Sequence, residues 1–289
     1  MICLYGICKN EEKNVEMFVE QGKHFDKIVV LDTGSTDNTV EMLREKGVEV
    51  HERTYEEFDF SRARNDALYF LPEECKWAFT LDFNEDLSIT EDQINYLRRV
   101  DKFDGFKVNC FDANIETYQE RKLKIHKPLK YMWKYAVHEY LYPIEDDLKL
   151  GHLDIRVTKR ELKTPEKLEF YTSIAEREHQ RDPSNPHYAW WAVTVYREQP
   201  YFDPEKLMYY AGKYLENTEA YKFNFRVYAF VYISSLVTDR TIAIDHGIHA
   251  VSEAIKFRET DPNCFQFAIN NLTRLGVSIQ VGDQIQNGE

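Results

Sequence analysis

The sequence of 289 residues has few glycines and prolines, 11 and 9 respectively, and no run of 18 apolar residues. So little glycine and proline excludes a collagen-like or low-complexity chain. The lack of a long apolar run argues against a membrane-spanning helix. No basic segment precedes the apolar residues at the N-terminus, so we expect no signal peptide. With 43% hydrophobic and 30% charged residues, the composition is that of a globular protein.

The cysteines are scattered, odd in number and without a Cys-x-x-Cys pair: Cys3, Cys8, Cys75, Cys110 and Cys264. This pattern predicts reduced thiols, no zinc site and a cytoplasmic protein. Acidic residues outnumber basic ones, 50 against 37, for a net charge of −13. A chain this acidic is not expected to bind nucleic acid over its whole surface. One stretch departs from this balance, since it has no acidic residue and these cations: Arg121, Lys122, Lys124, Lys127, Lys130 and Lys134.

Apolar runs alternate with helical patterns in the first hundred residues. This alternation predicts an α/β fold with a mainly parallel sheet and flanking helices. The predicted strands are Ile2–Cys8, Ile28–Leu31, Val48–Val50 and Trp77–Leu81. Ser61 is the predicted N-cap of a helix that ends before Pro72. Shorter strands are predicted further on, at Gly105–Cys110, Lys122–His126 and Tyr131–Leu141.

After about Thr164 the apolar spacing becomes helical, and we predict six helices packed as hairpins. One of them has Ile244, Ile248, Val251 and Ile255 at helical spacing. Turns with proline recur about every 35–45 residues, which is similar to tetratricopeptide-like repeats, with plain helical hairpins as the alternative. We therefore expect an α/β domain at 1–160, an all-α domain at 161–278 and a disordered tail at 279–289.

Two aspartates follow predicted strands, where open parallel sheets bind their ligands. Asp32 suits the base or ribose of a nucleotide, because a carboxylate accepts from N–H and O–H groups. The segment Asp82–Phe83–Asn84–Glu85 offers oxygen ligands for Mg²⁺ or Mn²⁺, which also binds phosphates. The alternative for either motif alone is a set of polar residues that cap strand ends beside turns.

Four motifs occur in a fixed order: Lys9–Glu12, Asp32–Thr39, Phe60–Asn65 and Leu81–Glu85. Their sequences, KNEE, DTGSTDNT, FSRARN and LDFNE, resemble those of family 2 glycosyltransferases with the GT-A fold. The resemblance covers about residues 1–140. It implies transfer of a sugar from a nucleotide-diphosphate donor, usually with inversion and with a divalent cation, Mn²⁺ or Mg²⁺. Some members of this branch also carry C-terminal tetratricopeptide-like helices.

The resemblance implies roles for individual residues. Asp32 would bind the donor's base, and Asp82 would lie against the ribose and the metal. Asn10 and Glu11 would border the nucleotide pocket. Arg64 and Asn65 would lie near the donor, where a guanidinium neutralises phosphate charge. The alternative for this last pair is an N-capped surface helix with its arginines in water.

Val137–His138–Glu139 resembles a VHE motif found downstream in the same branch. His138 would be a metal ligand together with Asp82 and Asn84, because imidazole suits Mn²⁺. Glu139 would be the general base that deprotonates the acceptor hydroxyl, with Asp112 and Glu116 as alternatives.

The metal site departs from the family pattern, because Asn84 stands where the family has the second acidic residue. An amide oxygen binds a hard cation but lacks the charge, so we expect weaker metal binding or a contribution from Glu85.

The resulting hypothesis is a glycosyltransferase that uses a nucleotide sugar, with a UDP-sugar favoured by the resemblance. Protein, glycan, lipopolysaccharide and modified DNA remain open as acceptors. Modified DNA is considered because aromatic residues interleave with the cations of 121–134. The alternative from another class is an adaptor whose helices bind a peptide or self-associate, with a catalytically degenerate α/β domain.

Overall fold

The computed structural model describes residues 1–113, 118–160, 164–197, 202–216, 223–256, 258 and 261–277. The chain divides into two compact units, Met1–Thr164 and Pro165–Glu289, against a predicted boundary at 160/161. The predicted tail 279–289 and the candidate base Glu116 lie outside the described residues.

The first unit is built on a sheet of eight strands, in the order β3-β2-β1-β4-β7-β6-β10-β5, and a separate hairpin of β8 and β9. The described strands are β1 (Ile2–Cys8), β2 (Lys27–Asp32), β3 (Glu49–Glu52), β4 (Trp77–Thr80), β5 (Glu85–Ser88), β6 (Gly105–Asp112), β7 (Tyr118–His126), β8 (Tyr131–Lys134), β9 (Tyr140–Pro143) and β10 (Leu150–Lys159). The helices of this unit are α1 (Val15–Gly22), α2 (Thr39–Glu45), α3 (Phe60–Tyr69) and α4 (Glu91–Arg99).

Most strands of the sheet run in one direction. β1 pairs in parallel with β2 and β4, and β2 with β3. β7 is antiparallel to both β4 and β6, so β6 runs in the same direction as β4, and β10 is parallel to β6. The predicted mainly parallel sheet with flanking helices is confirmed. Six of its strands, β1, β2, β3, β4, β6 and β10, therefore end at the same edge.

The register of the central strands places the two predicted aspartates on either side of β1. Asp32 is opposite Cys8, and Thr80, two residues before Asp82, is opposite Tyr5. Since neighbouring strands lie about 4.8 Å apart, the backbones at the two aspartates are about 10 Å apart. Gly6 permits the close packing of β1 here, because an added Cβ would lie 2.7 Å from the carbonyl oxygen of Leu81.

Two local expectations are wrong. The N-cap of α3 is Asp59, whose extended backbone lets its carboxylate accept from Arg62 N at 2.9 Å, while Ser61 lies inside the helix. The predicted strand Tyr131–Leu141 is two strands, because the backbone between β8 and β9 turns into the left-handed region at Tyr135 (φ 76°) and His138 (φ 53°). A non-glycine residue rarely adopts such a φ, so the sequence gives no sign of this turn.

The second unit is all-helical, as predicted. Its helices are α5 (Pro165–Arg181), α6 (Pro186–Tyr196), α7 (Pro204–Glu216), α8 (Phe223–Leu236), α9 (Arg240–Ile255) and α10 (Pro262–Arg274). Each packs on the next along the chain, and α8 also contacts α10. No helix within the described ranges is long and apolar enough to cross a membrane.

The face that α9 buries differs from the one its isoleucines indicate. Ile248 and Ile255 are 51% and 59% exposed. The buried positions are small residues at helical spacing: Ala243, Gly247, Ala250 and Ala254. Small side chains let the helix approach its neighbours closely; an added Cβ at Gly247 would lie 2.5 Å from Leu272. The predicted helix is thus correct. However, α9 buries its small residues, which allow its neighbours to approach closely, rather than its large isoleucines.

All five cysteines are free thiols, and all are buried. The core of the first unit is apolar, but it contains a buried ion pair in which Lys124 Nζ lies 2.8 and 2.6 Å from the carboxylate oxygens of Glu85. Both side chains are about nine-tenths buried.

Removing one partner of this buried pair should destabilise the protein strongly. We expect Lys124→Met to lower the free energy of unfolding by about 3–5 kcal/mol, because Glu85 keeps an uncompensated charge. Lys124→Met/Glu85→Gln removes both charges and should recover much of the loss. Lys23→Met is the control, because Lys23 and its partner Glu20 are 56% and 69% exposed; about 1 kcal/mol or less is expected. Urea denaturation measures all three, and equal losses for the two single variants would contradict the prediction.

Candidate active site

The loops that follow β1 and β2 are joined by hydrogen bonds between side chains and backbone. Asn10 N donates to Ser35 Oγ at 2.8 Å, and Thr36 N donates to Asn10 Oδ1 at 2.8 Å. Asn10 has a left-handed backbone (φ 55°), a conformation that asparagine tolerates better than most residues. The motifs Lys9–Glu12 and Asp32–Thr39 are thus joined by hydrogen bonds at the sheet edge.

The same pattern continues beyond Asn10. Glu11 N donates to Thr39 Oγ1 at 2.8 Å, and Glu11 Oε2 accepts from Asn14 Nδ2 at 2.6 Å. Glu12 Oε2 accepts from Asn38 N at 3.1 Å. Asn10 and Glu11, predicted to border a nucleotide pocket, therefore brace the loops from which such a pocket would be built.

Asp32 is buried within its own loop, with 1% of its surface exposed. Its Oδ1 accepts from Gly34 N at 2.9 Å and Ser35 N at 2.8 Å. Its Oδ2 accepts from Ser35 Oγ and from Cys8 Sγ at 3.3 Å. A carboxylate has about four lone-pair sites, so these four donors use the whole capacity of Asp32. In this conformation Asp32 shapes the loop, and Gly34 (φ 107°) permits the turn.

The guanidinium of Arg64 joins two of the predicted functional carboxylates. Its Nη2 donates to Asp82 Oδ1 at 2.8 Å and its Nε donates to Glu139 Oε1 at 2.6 Å. The Arg64 side chain is 8% exposed, against 36% for Asp82 and 12% for Glu139. The third nitrogen, Nη1, is buried and has no hydrogen-bond partner among the described residues. The group lies over the ring of Trp133, 4.8 Å from its centroid.

The charges around Asp82 keep it ionised. Burial raises the pKa of its carboxyl, but the nearby positive charges of Arg64, Lys124 and Lys159 outweigh that effect, and the pKa lies well below the usual 3.8. The pKa of Arg64 is raised, since its two carboxylate partners outweigh the cost of its burial. Asp82 and Arg64 are therefore both charged at neutral pH.

Helix α3 fastens the β8–β9 hairpin to the sheet. Asn65 Nδ2 donates to Trp133 O at 2.9 Å, and Trp133 N donates to Asn65 Oδ1 at 2.8 Å. Phe60 N also donates to Ala136 O at 2.9 Å. With the contact between Arg64 and Glu139, the third motif holds the hairpin that carries the VHE motif. The alternative of a surface helix with its arginines in water is thus wrong for Arg64, because this side chain is buried.

The two acidic residues of the motif Asp82–Glu85 contact different cations. Asp82 points to Arg64, whereas Glu85 Oε2 accepts from Asp82 N at 3.0 Å and pairs with Lys124. Glu85 is therefore occupied by a structural ion pair. Asn84 is half-buried, and its carbonyl oxygen accepts from Arg160 N at 2.9 Å.

A divalent cation fits this motif only in part. Among the residues that the structure describes, no three His, Cys, Asp or Glu side chains lie together so as to hold a metal. Arg64 binds Oδ1 of Asp82, however, and this partly exposed carboxylate has a second oxygen. Mg²⁺ is commonly bound by one or two carboxylates together with substrate phosphates, and Asp82 with Asn84 fits that kind of site. His138, in its left-handed turn, is half-buried.

Most of the basic stretch 121–134 is paired. Lys124 is buried against Glu85, Lys127 Nζ lies 3.3 Å from Asp104, and Lys130 Nζ lies 2.8 Å from Glu145. Lys134 lies over the ring of Tyr142, 4.6 Å from its centroid. The pairing favours a charge-balanced strand and hairpin over a surface for nucleic acid.

Sequence reasoning missed two cations of the site. Lys124 appears in the sequence only as one of several lysines, and its partner Glu85 is 39 positions away. Lys159 lies beyond the motifs. Its place beside the acidic motif follows only from the register of β10 with β5 and β6.

The match to a known family supports this arrangement. The family described as "Glycosyl transferase family 2" matches residues 7–154, about half of the chain. The chain therefore belongs to glycosyl transferase family 2. No match was found among curated proteins.

Solved structures of two proteins are distantly similar to this chain. S. aureus TarS is 12% identical over 95% of this chain and 54% of that chain, with a TM-score of 0.44. A shorter TarS chain in complex with UDP-GlcNAc is 15% identical over 95% and 90%, with a TM-score of 0.41. Glucosyl-3-phosphoglycerate synthase from Mycobacterium tuberculosis, with Mn²⁺, UDP and glucosyl-3-phosphoglycerate, is 16% identical over 38% and 44%, with a TM-score of 0.31. The present chain thus spans about half of the first TarS chain.

Arg64→Ala should destabilise the protein most at neutral pH. Because the pKa of Asp82 is lowered in the folded state, the contact contributes stability above pH 3.8, and the contribution disappears as the pH falls through the folded value. We expect a loss of about 2–4 kcal/mol at pH 7.5, below that of a fully buried pair because solvent screens Asp82. The loss should shrink only below pH 3.8, and we expect it to be clearly smaller at pH 2.5. Urea denaturation at both pH values checks this, with Arg62→Ala, an exposed neighbour, as control. A loss that does not change with pH would contradict it.

Proposed function

We propose that the protein transfers a sugar from a nucleoside diphosphate sugar, with UDP as the favoured nucleotide, to a hydroxyl-bearing acceptor. The observation that carries the proposal is the bridge by which Arg64 holds Asp82 and Glu139 together at the sheet edge. Two carboxylates and a buried cation, beside braced loops, form an ordered polar site where open α/β sheets bind ligands. Membership of the family supports the same activity.

The donor would occupy the carboxyl edge between β2 and β4. The joined loops at Asn10, Glu11 and Asp32 would form the nucleoside side, where Asp32 acts by holding the loop in shape. Asp82 and Asn84 would hold a divalent cation, Mn²⁺ or Mg²⁺, with His138 as a third ligand. Such a cation, when bound, neutralises charge on the leaving diphosphate. The buried Nη1 of Arg64 has an unused N–H to offer an incoming oxygen.

Glu139 is the proposed general base. It would take the proton from the acceptor hydroxyl while the acceptor oxygen bonds to the anomeric carbon and the sugar–diphosphate bond breaks, which inverts the configuration. The electron pair of the broken bond leaves with the diphosphate. Arg64 and Asn65 would be positioning residues for this step, since they fix the hairpin that carries Glu139. Asp112 remains the alternative base.

The intact ion network favours an active enzyme over a degenerate scaffold, because buried charges are costly to retain without use or compensation. The helices of the second unit would bind the acceptor or a protein partner, and tetratricopeptide-like packing is part of this proposal. The charge pairing of 121–134 disfavours modified DNA as acceptor and leaves protein, glycan and lipopolysaccharide.

Nucleotide binding provides the first test. A nucleoside diphosphate at saturating concentration should raise the melting temperature by several degrees, because a ligand that binds only the folded state stabilises it by about 2.7 kcal/mol at 100 times its Kd. UDP and a panel of nucleotide sugars, with and without Mn²⁺, test donor and metal together. In Mn²⁺, Asp82→Ala should reduce the shift to that seen without the cation, while Asp101→Ala, a change at an 80% exposed aspartate, should keep the full shift. No shift with any nucleotide in either buffer would overturn the proposal.

Replacing the base should separate chemistry from binding. Glu139→Gln keeps an oxygen that accepts from Arg64 Nε but cannot take a proton. We expect donor turnover, followed as release of UDP from the UDP-sugar with water as acceptor, to fall about 10²–10⁴-fold. Calorimetry should show unchanged affinity for UDP. Turnover equal to that of the unaltered protein would assign the base to another residue, and Asp112→Asn is the variant to compare.

A further inference from the structure

Lys159 is a charged residue at the candidate site that the proposed function leaves unused. It is the last residue of β10, which ends at the same sheet edge as β4. The side chain is half-buried, and among the described residues it has no ion pair or hydrogen bond. It also lies beyond residue 154, where the family match ends.

The backbone around Lys159 is fastened to the acidic motif. Lys159 is opposite Glu85 in β5 and opposite Asp112 in β6. Residues directly opposite each other in a sheet share a face, so the lysine stands on the face that carries these two carboxylates. Arg160 N donates to Asn84 O at 2.9 Å, which ties the end of β10 to the segment between Asp82 and Glu85.

The charges of the motif favour an anion beside Lys159. Each carboxylate of the motif has a cationic partner: Asp82 pairs with Arg64, which also holds Glu139, and Glu85 pairs with Lys124. Asn84, unlike the acid that the family has there, adds no negative charge that would repel a phosphate. An ammonium without an ion-pair partner next to such a segment attracts a phosphate group, and it does so most strongly where the site is partly shielded from water.

We propose that Lys159 binds the diphosphate of the donor and lets the site hold a nucleoside diphosphate when the divalent cation is removed. The inference rests on the proposed function and adds a residue to it. The Lys159 ammonium would supply part of the positive charge that a metal supplies. It would thereby compensate for the weaker metal binding expected from Asn84, which stands where the family has a carboxylate.

Calorimetric titration with UDP and with uridine, in EDTA and in Mn²⁺, tests the role of Lys159. The unaltered protein should bind UDP in EDTA. In EDTA, Lys159→Ala should weaken UDP binding about 10- to 100-fold, the range for a hydrogen bond to a charged group, and less in Mn²⁺. Uridine, which has no phosphate, should bind equally to both. Lys159→Arg should keep most of the affinity.

Lys107→Ala is the matched control. It removes the same charge from an exposed position on the face of β6 opposite to that of Asp112, and UDP should bind to it as to the unaltered protein. Equal UDP affinity of the unaltered protein and Lys159→Ala in both buffers would overturn the inference alone, as would UDP binding that requires Mn²⁺. Absence of UDP binding to the unaltered protein in both buffers would overturn the proposed function and this inference with it.

Discussion

One buried guanidinium holds the proposed site together. Arg64 binds Asp82 beyond the end of β4 and Glu139 in the turn between β8 and β9, two carboxylates 57 positions apart in the chain. Each would repel the other without a cation between them. The position of the hairpin, and with it that of the VHE motif, depends on this contact and on the paired hydrogen bonds of Asn65 to the backbone of Trp133. The motif Phe60–Asn65 thus holds the hairpin in place, a structural role that its sequence does not indicate.

The sequence allowed the architecture to be predicted because its signals are local. Alternating apolar runs and helical spacing need no knowledge of distant contacts, so β1, β2, β4 and the helical second unit were predicted correctly. β5, α4 and β10 were not predicted. The pairing of β5 and β10 depends on partners far along the chain, as in the antiparallel register of Lys159 with Glu85, whereas α4 begins with a local capping box of Thr90 and Gln93. The single predicted strand over 131–141 failed because two non-glycine residues adopt left-handed backbone.

The sequence predicts which residues belong to the candidate site better than it predicts how these residues are arranged. Its motifs identify which residues gather at the sheet edge, but not which of their atoms are already used. Asp32 illustrates this: the sequence suggests a carboxylate open to a ligand, whereas four donors within its loop occupy it. Hydrogen bonds across 25 residues, such as that between Asn10 and Ser35, follow from the packing of two loops and have no signature in either loop alone.

The thiols offer a practical consequence. Every cysteine of the chain is buried, Cys75 and Cys110 being the most accessible at 7%. Maleimide reagents need an exposed thiolate, so the native protein should react slowly and its unfolded form fast. A single cysteine introduced at an exposed position would therefore be a clean attachment point for a fluorophore or spin label, without prior removal of the natural ones.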